Sequence, residues 1–234
     1  MNLYNSLINQ IKNLLPEKSG KRFSYEKPKL KKGDKNQILF LNETAFELGG
    51  SQTHCVSTMA VSSSMEFDNS VLLYGKDLYE LKKDNEFGKI ILLQIEDIDE
   101  ETAFDTIKEI ELVRYNYSPV GFMTRASALS MREQIRISKN IVKKKISFKD
   151  YGNALIEEYL KNPIVKSVQI IFITDFDNKF DELYMTADKI KSTTSALNHI
   201  LDNVMFDCST CNLKEICDEV EGMKELHIKK ANKQ

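Results

Sequence analysis

No apolar run in this 234-residue chain approaches the length of a membrane span. The opening residues, MNLYNSLINQIKNLLPEKSG, show no charged start, no continuous apolar centre and no small-residue cleavage site, so no signal peptide is expected. A large excess of one charge is missing too. There are 33 basic and 35 acidic residues, a net charge of −2, which gives no overall nucleic-acid footprint. No Walker or dinucleotide glycine pattern is present, and Gly49-Gly50 alone is too short to cradle phosphate. The three histidines stand in no Ser-His-Asp context. Cysteine is scarce, and three of the four fall close together, which excludes a secreted disulfide framework and points to a cytoplasmic metal or redox role.

Those three are Cys208, Cys211 and Cys217, in the run CSTCNLKEIC. A C-x2-C pair lets one tight turn aim two sulfurs at a common point, and the third arrives from the next short segment. Thiolates are preferred ligands of zinc and of iron–sulfur clusters. The neighbours Asp207, Ser209, Asn212 and Lys214 are polar, so three unligated thiols here would be open to oxidation. The spacing alone admits a [4Fe–4S] cluster or a Cys3His zinc site. Candidate fourth ligands are Cys55, His227 and Glu221, or an exogenous group on an open iron. The plainer readings are a buried strand cysteine for Cys55, a surface histidine for His227 and a structural helix residue for His199.

Hydrophobic periodicity divides the chain into an N-terminal helix with a basic linker (1–36), an α+β domain (37–177) and a helix followed by the cysteine module (178–234). Leu7, Ile8, Ile11, Leu14 and Leu15 recur at helical spacing before Pro16. Residues 17–35 are lysine-rich and poor in apolar groups, which predicts a solvated linker or a docking arm for an acidic partner. ILFLNETAFELGG, HCVSTMAVS and NSVLLYG read as strands. Over residues 89–174 the order is strand, helix, strand, strand, helix, strand, which predicts a ferredoxin-like split βαβ sandwich. Ser147 is placed to cap the helix KDYGNALIEEYLKN, and a long helix is expected over 178–205.

Residues 136–175, RISKNIVKKKISFKDYGNALIEEYLKNPIVKSVQIIFITD, resemble a stretch of the CO dehydrogenase/acetyl-CoA synthase complex beta subunit family. FELGG at 46–50 resembles the segment that opens the same family's middle domain, and the order of segments up to the C-x2-C pair agrees. The resemblance implies an α+β fold and a metal cluster. In that family the cysteines hold a [4Fe–4S] cubane bridged to two nickel ions, which assembles acetyl-CoA by CO-methylating chemistry. Carried over by position, Cys208 and Cys211 match the first cubane pair and Cys217 the third ligand. The fourth cubane cysteine and the downstream Cys-Gly-Cys of the outer nickel are absent from these residues, so the likeness is to a shortened relative without the full nickel site.

Arg125, Arg132 and Arg136 lie on or beside strands. They offer an anion site for a coenzyme A-like ligand, or are solvated charges paired with Glu133 or Asp97. The expectation is an iron–sulfur protein of anaerobic one-carbon or acyl metabolism. Its cluster relays electrons or acts as a Lewis acid at an open iron, and a protein partner docks through the basic linker. No nucleic-acid or membrane partner is expected. The alternative is a non-catalytic interaction module pinned by zinc or an iron–sulfur site.

Overall fold

A computed structural model describes residues 2–34, 37–50, 53–99, 101–126, 131–201 and 211–231. Two strands form its centre because their sequences are apolar on both faces: β5 (Phe87–Ile95) and β8 (Val165–Ile173). They pair antiparallel in the middle of a five-stranded sheet. Beside β5 lies β3 (Cys55–Ser62), parallel to it. Beside β8 lies β4 (Ser70–Tyr74), also parallel, and β1 (Lys21–Ser24) closes that edge antiparallel to β4. A second, antiparallel sheet has the order β2 (Thr44–Gly49), β7 (Glu133–Ser138), β6 (Phe122–Ala126).

The helices cover these sheets. Helix α4 (Phe148–Tyr159) packs on β4 and β8, and α5 (Phe180–Leu201) packs on β3 and on α1 (Asn5–Leu14). Helix α2 (Ala103–Asn116) contacts α5, α4 and β6. Ser147 and Asp150 form a reciprocal capping box that satisfies the first amides of α4. Behind it, Tyr151 stacks on Phe122 of β6, with centroids 4.6 Å apart, and on Phe172 of β8, at 5.5 Å. One helix face therefore joins both sheets.

The α+β class agrees with the sequence. Three expectations need correction. The ferredoxin-like single sheet does not form: β5 and β8 are antiparallel neighbours, but β6 and β7 pair with β2 in a sheet of their own. Backbone partners for β7 come from Thr44–Gly49, far upstream, and local pattern carries no sign of that pairing. The 17–35 stretch is also no free linker. It supplies edge strand β1, and its later part is bonded to the turn before β6, with Gly33 N–H donating to the Ser118 carbonyl at 2.9 Å and Val120 N–H to the Lys31 carbonyl at 3.0 Å. Finally, the strand expected from Ile38 begins only at Thr44. Residues 127–130, within the stretch of alternating strands and helices expected over 89–174, and 202–205 of the long helix expected over 178–205 lie outside the described residues.

Candidate metal centre

Two short helices fold back on the end of α5: α6 (Lys214–Glu219) and α7 (Met223–Ala231). Gly222, at φ +86°, makes the turn between them, a left-handed conformation that glycine adopts without strain. Ile216, Val220, Met223 and Leu226 are buried and fix the pair in place. Cys211 opens the turn into α6. Its Sγ accepts the Leu213 N–H at 3.4 Å and its carbonyl accepts the Lys214 N–H at 3.2 Å. Cys217 lies on α6 itself, and both thiols are half-buried.

Cys211 and Cys217 line one cavity of about 180 Å³, together with His199 from α5 and His227 from α7. Two of the chain's three histidines and two of its four cysteines thus face a single small space. Asp218 and Lys224 pair at 2.9 Å on its lining, and the hydrogen bond from Lys224 holds the Asp218 carboxyl below the usual carboxylate range. Cys208 lies outside the described residues. Among the described residues no three His, Cys, Asp or Glu groups stand close enough to share one ion. The donor types facing the cavity suit a thiolate-bound metal, and a third thiolate would have to come from Cys208.

The structure places the other candidate ligands elsewhere. Cys55 is fully buried at the start of β3, where its thiol donates to the Glu133 carbonyl (3.0 Å) and accepts the Glu133 N–H (3.2 Å). Burial pushes the Cys55 thiol up in pKa, with the Glu133 backbone bond opposing, which favours the protonated form over the thiolate that metals need. Glu221 is exposed and borders a separate cleft beside Asn2 and Leu3. His54 stacks on Phe180, with centroids 4.3 Å apart, and its Nδ1 lies 3.3 Å from Glu86.

His199 is the site residue that the sequence reading set aside. It lines the Cys/His cavity and also a second cleft of about 330 Å³ between β3, α2 and α5, beside Lys108, Arg114 and Lys191. The available signal was its position in the last turn of the helix that leads directly to the cysteines.

Behind that cleft runs a buried chain of polar contacts. Arg114 donates to Glu111 Oε1 (3.0 Å) and to Ser57 Oγ (2.9 Å), and Ser57 Oγ donates to Glu133 Oε2 (2.6 Å). Glu133 also pairs with Lys89, both side chains being at most 1 % exposed. Burial pulls the Lys89 ammonium down in pKa, and Glu133 opposes that fall. This network links β3 and β5 of the large sheet to β7 of the small one. Glu133 is therefore not the surface partner of an arginine. Arg136 pairs instead with Glu47 (2.5 Å), Arg132 donates to the Gly50 carbonyl (2.7 Å), and Arg125 is exposed. The β6–β7 register sets Arg125 opposite Gln134, which puts Arg125 and Arg136 on one face of the small sheet.

The family described as CO dehydrogenase/acetyl-CoA synthase complex beta subunit matches residues 37–179, more than half of the chain. No curated protein matches the chain.

Proposed function

We propose, for a chain that belongs to the CO dehydrogenase/acetyl-CoA synthase complex beta subunit family, that the module after α5 is a metal centre held by Cys208, Cys211 and Cys217. The observation that carries this reading is the shared cavity lined by Cys211, Cys217, His199 and His227. Two thiols and two imidazoles, the donor types of thiolate–imidazole metal sites, thus line one small space. His199 and His227 are candidates for the remaining position. Cys55 would have to give up both hydrogen bonds to Glu133 to serve, so the reading assigns it to the fold.

Family membership favours a [4Fe–4S] cluster over zinc. Bound there, such a cluster would supply one-electron transfer or Lewis-acid polarisation of a ligand at an open iron. The chain's own contribution is to order the thiolate-bearing turn against α5, with the buried side chains of Ile216, Val220, Met223 and Leu226 holding α6 and α7 beside it. The setting this supports is anaerobic one-carbon or acyl metabolism in the cytoplasm, as a subunit among protein partners. An anionic ligand such as the phosphates of coenzyme A would find guanidinium counter-charges at Arg125 and Arg136 on the small sheet, although Glu47 already takes Arg136. Among the described residues no helix is long and apolar enough to cross a membrane.

Anaerobic elemental analysis tests the reading. Iron with acid-labile sulfide, giving a visible absorption that dithionite bleaches, supports the cluster. Zinc alone would support the second reading, an interaction module with a structural site, which the thiol–imidazole lining favours chemically.

A further inference from the structure

On the side of the molecule where the basic arm meets the small sheet, a groove of about 700 Å³ runs between two cationic walls. One wall is the arm, with Lys29, Leu30 and Lys31. The other is helix α3 (Lys139–Lys143) with the turn after it, which brings Lys139 and Lys144. Val120, Gly121 and Ile141 lie between them. The groove carries four lysines against one glutamate, Glu43, on a chain whose net charge is −2. The positive charge is concentrated there and is little neutralised. Lys29 lies 3.9 Å from Asp150 while 77 % exposed, and the Lys139 ammonium donates to the Asn42 carbonyl at 2.7 Å.

The arm is held in place, so the groove is already formed. Besides the two backbone bonds to the turn at Ser118 and Val120, Lys32 pairs with Glu158 of α4 at 2.6 Å, and Gln37 donates to the Phe122 carbonyl at 2.7 Å. Preformed walls lower the ordering cost of binding.

Beside the groove the chain exposes large apolar side chains in one short segment. Ile38 is 61 % exposed, Phe40 65 % and Leu41 75 %, and Val120, in the groove lining, is 51 % exposed. Leu39 between them is buried, with its N–H directed at the Met123 sulfur at 3.3 Å, so the segment is anchored with its neighbours facing out. Grouped apolar exposure of this kind marks an interaction surface. A nucleic-acid duplex, its bases already stacked on one another, would use the lysines and gain nothing from Phe40 and Leu41. A membrane surface would be met by a convex face, whereas this one is concave. An extended polypeptide with carboxylates between apolar side chains satisfies both features.

We propose that this groove docks a segment of a partner polypeptide in which carboxylates flank two or three large apolar side chains. The inference rests on the reading of the chain as a subunit that docks another protein, and it names the surface and the chemistry. The lysines steer the encounter and fix the register, and the apolar contacts slow dissociation.

The test uses the full chain and a fluorescein-labelled synthetic peptide that alternates glutamate pairs with leucine and phenylalanine, followed by anisotropy. The expected result is saturable binding that weakens as salt is raised. It should fall by about tenfold or more in a Lys139→Glu, Lys144→Glu double variant and in a Phe40→Ser, Leu41→Ser double variant. All four side chains are exposed, so unchanged circular dichroism and metal content are expected in both variants. A control peptide with serine in place of glutamate should not bind. Equal affinity in wild type and variants would overturn the groove and leave docking to another surface. Absence of peptide binding, or preference for phosphatidylglycerol vesicles or duplex DNA, would overturn the proposed occupant.

Discussion

Glu133 shares its β-strand parity with Ile135 and Ile137, the two inward residues of β7. Alternation alone therefore sends its carboxylate into the interior, where Lys89 and Ser57 meet it. That half of the arrangement was legible in the run REQIRIS. Its partner was not, because Lys89 lies in the other sheet and its strand is apolar on both faces. Breaking a buried pair by removing one member leaves an uncompensated charge. Lys89→Met should destabilise the fold by about 3–5 kcal/mol in urea unfolding, and the Lys89→Met, Glu133→Leu double variant by much less. A double variant as unstable as the sum of the two single changes would show that the pair is not coupled. Cys55 is tied to the same residue through its backbone bonds, so a Cys55→Ala chain should keep its full metal content while losing stability. Loss of metal would return Cys55 to the ligand set.

At the scale of elements, what could be read from the sequence was what is local. Ser147 was assigned as the cap of α4 because the residues that satisfy a helix start lie within one turn of it, and the structure shows the reciprocal box with Asp150. Ser147→Ala should cost about 1 kcal/mol, read from thermal unfolding. Strand pairing is different in kind. The strands β6 and β7 were found, yet their sheet was not, since β7 has Thr44–Gly49 as its second neighbour. The hold on the basic arm was hidden for a related reason: its backbone bonds to Ser118 and Val120 leave no trace in composition. Gly33 shows how closely the arm approaches, because a Cβ there would lie 2.7 Å from the Ser118 carbonyl oxygen. Gly33→Ala should detach the arm, making residues 27–34 sensitive to limited proteolysis where the wild-type chain resists. Equal resistance would mean that the arm is held by its side chains alone.

The whole molecule should respond to alkali through its buried phenols. Burial pushes Tyr4, Tyr74 and Tyr117 up to about 12 and raises Tyr151 well above the ordinary value of 10. Below pH 10 these phenols are neutral in folded and unfolded chains alike, and their contribution to stability is complete. Between pH 10 and 12 the unfolded chain releases protons that the folded chain retains, so stability falls as pH climbs through that window. Tyrosinate absorbance and circular dichroism recorded in one titration should show a late cooperative step common to both. Titration of all nine tyrosines near pH 10 with helicity intact would contradict the burial described for them.

The Cys/His cavity was only partly legible at this scale. The C-x2-C spacing singled out the module after α5, which lies beyond the family match over 37–179. Neither revealed His199, because its approach to Cys211 and Cys217 depends on how α6 and α7 fold back on α5. Iron, sulfide, zinc and nickel measured on the full chain purified without oxygen test the central claim most directly. The account predicts iron and sulfide bound to the wild-type chain, lost in a Cys211→Ser, Cys217→Ser double variant and retained in Cys55→Ala. A wild-type chain that carries no metal, or a double variant that keeps all of it, would contradict the account.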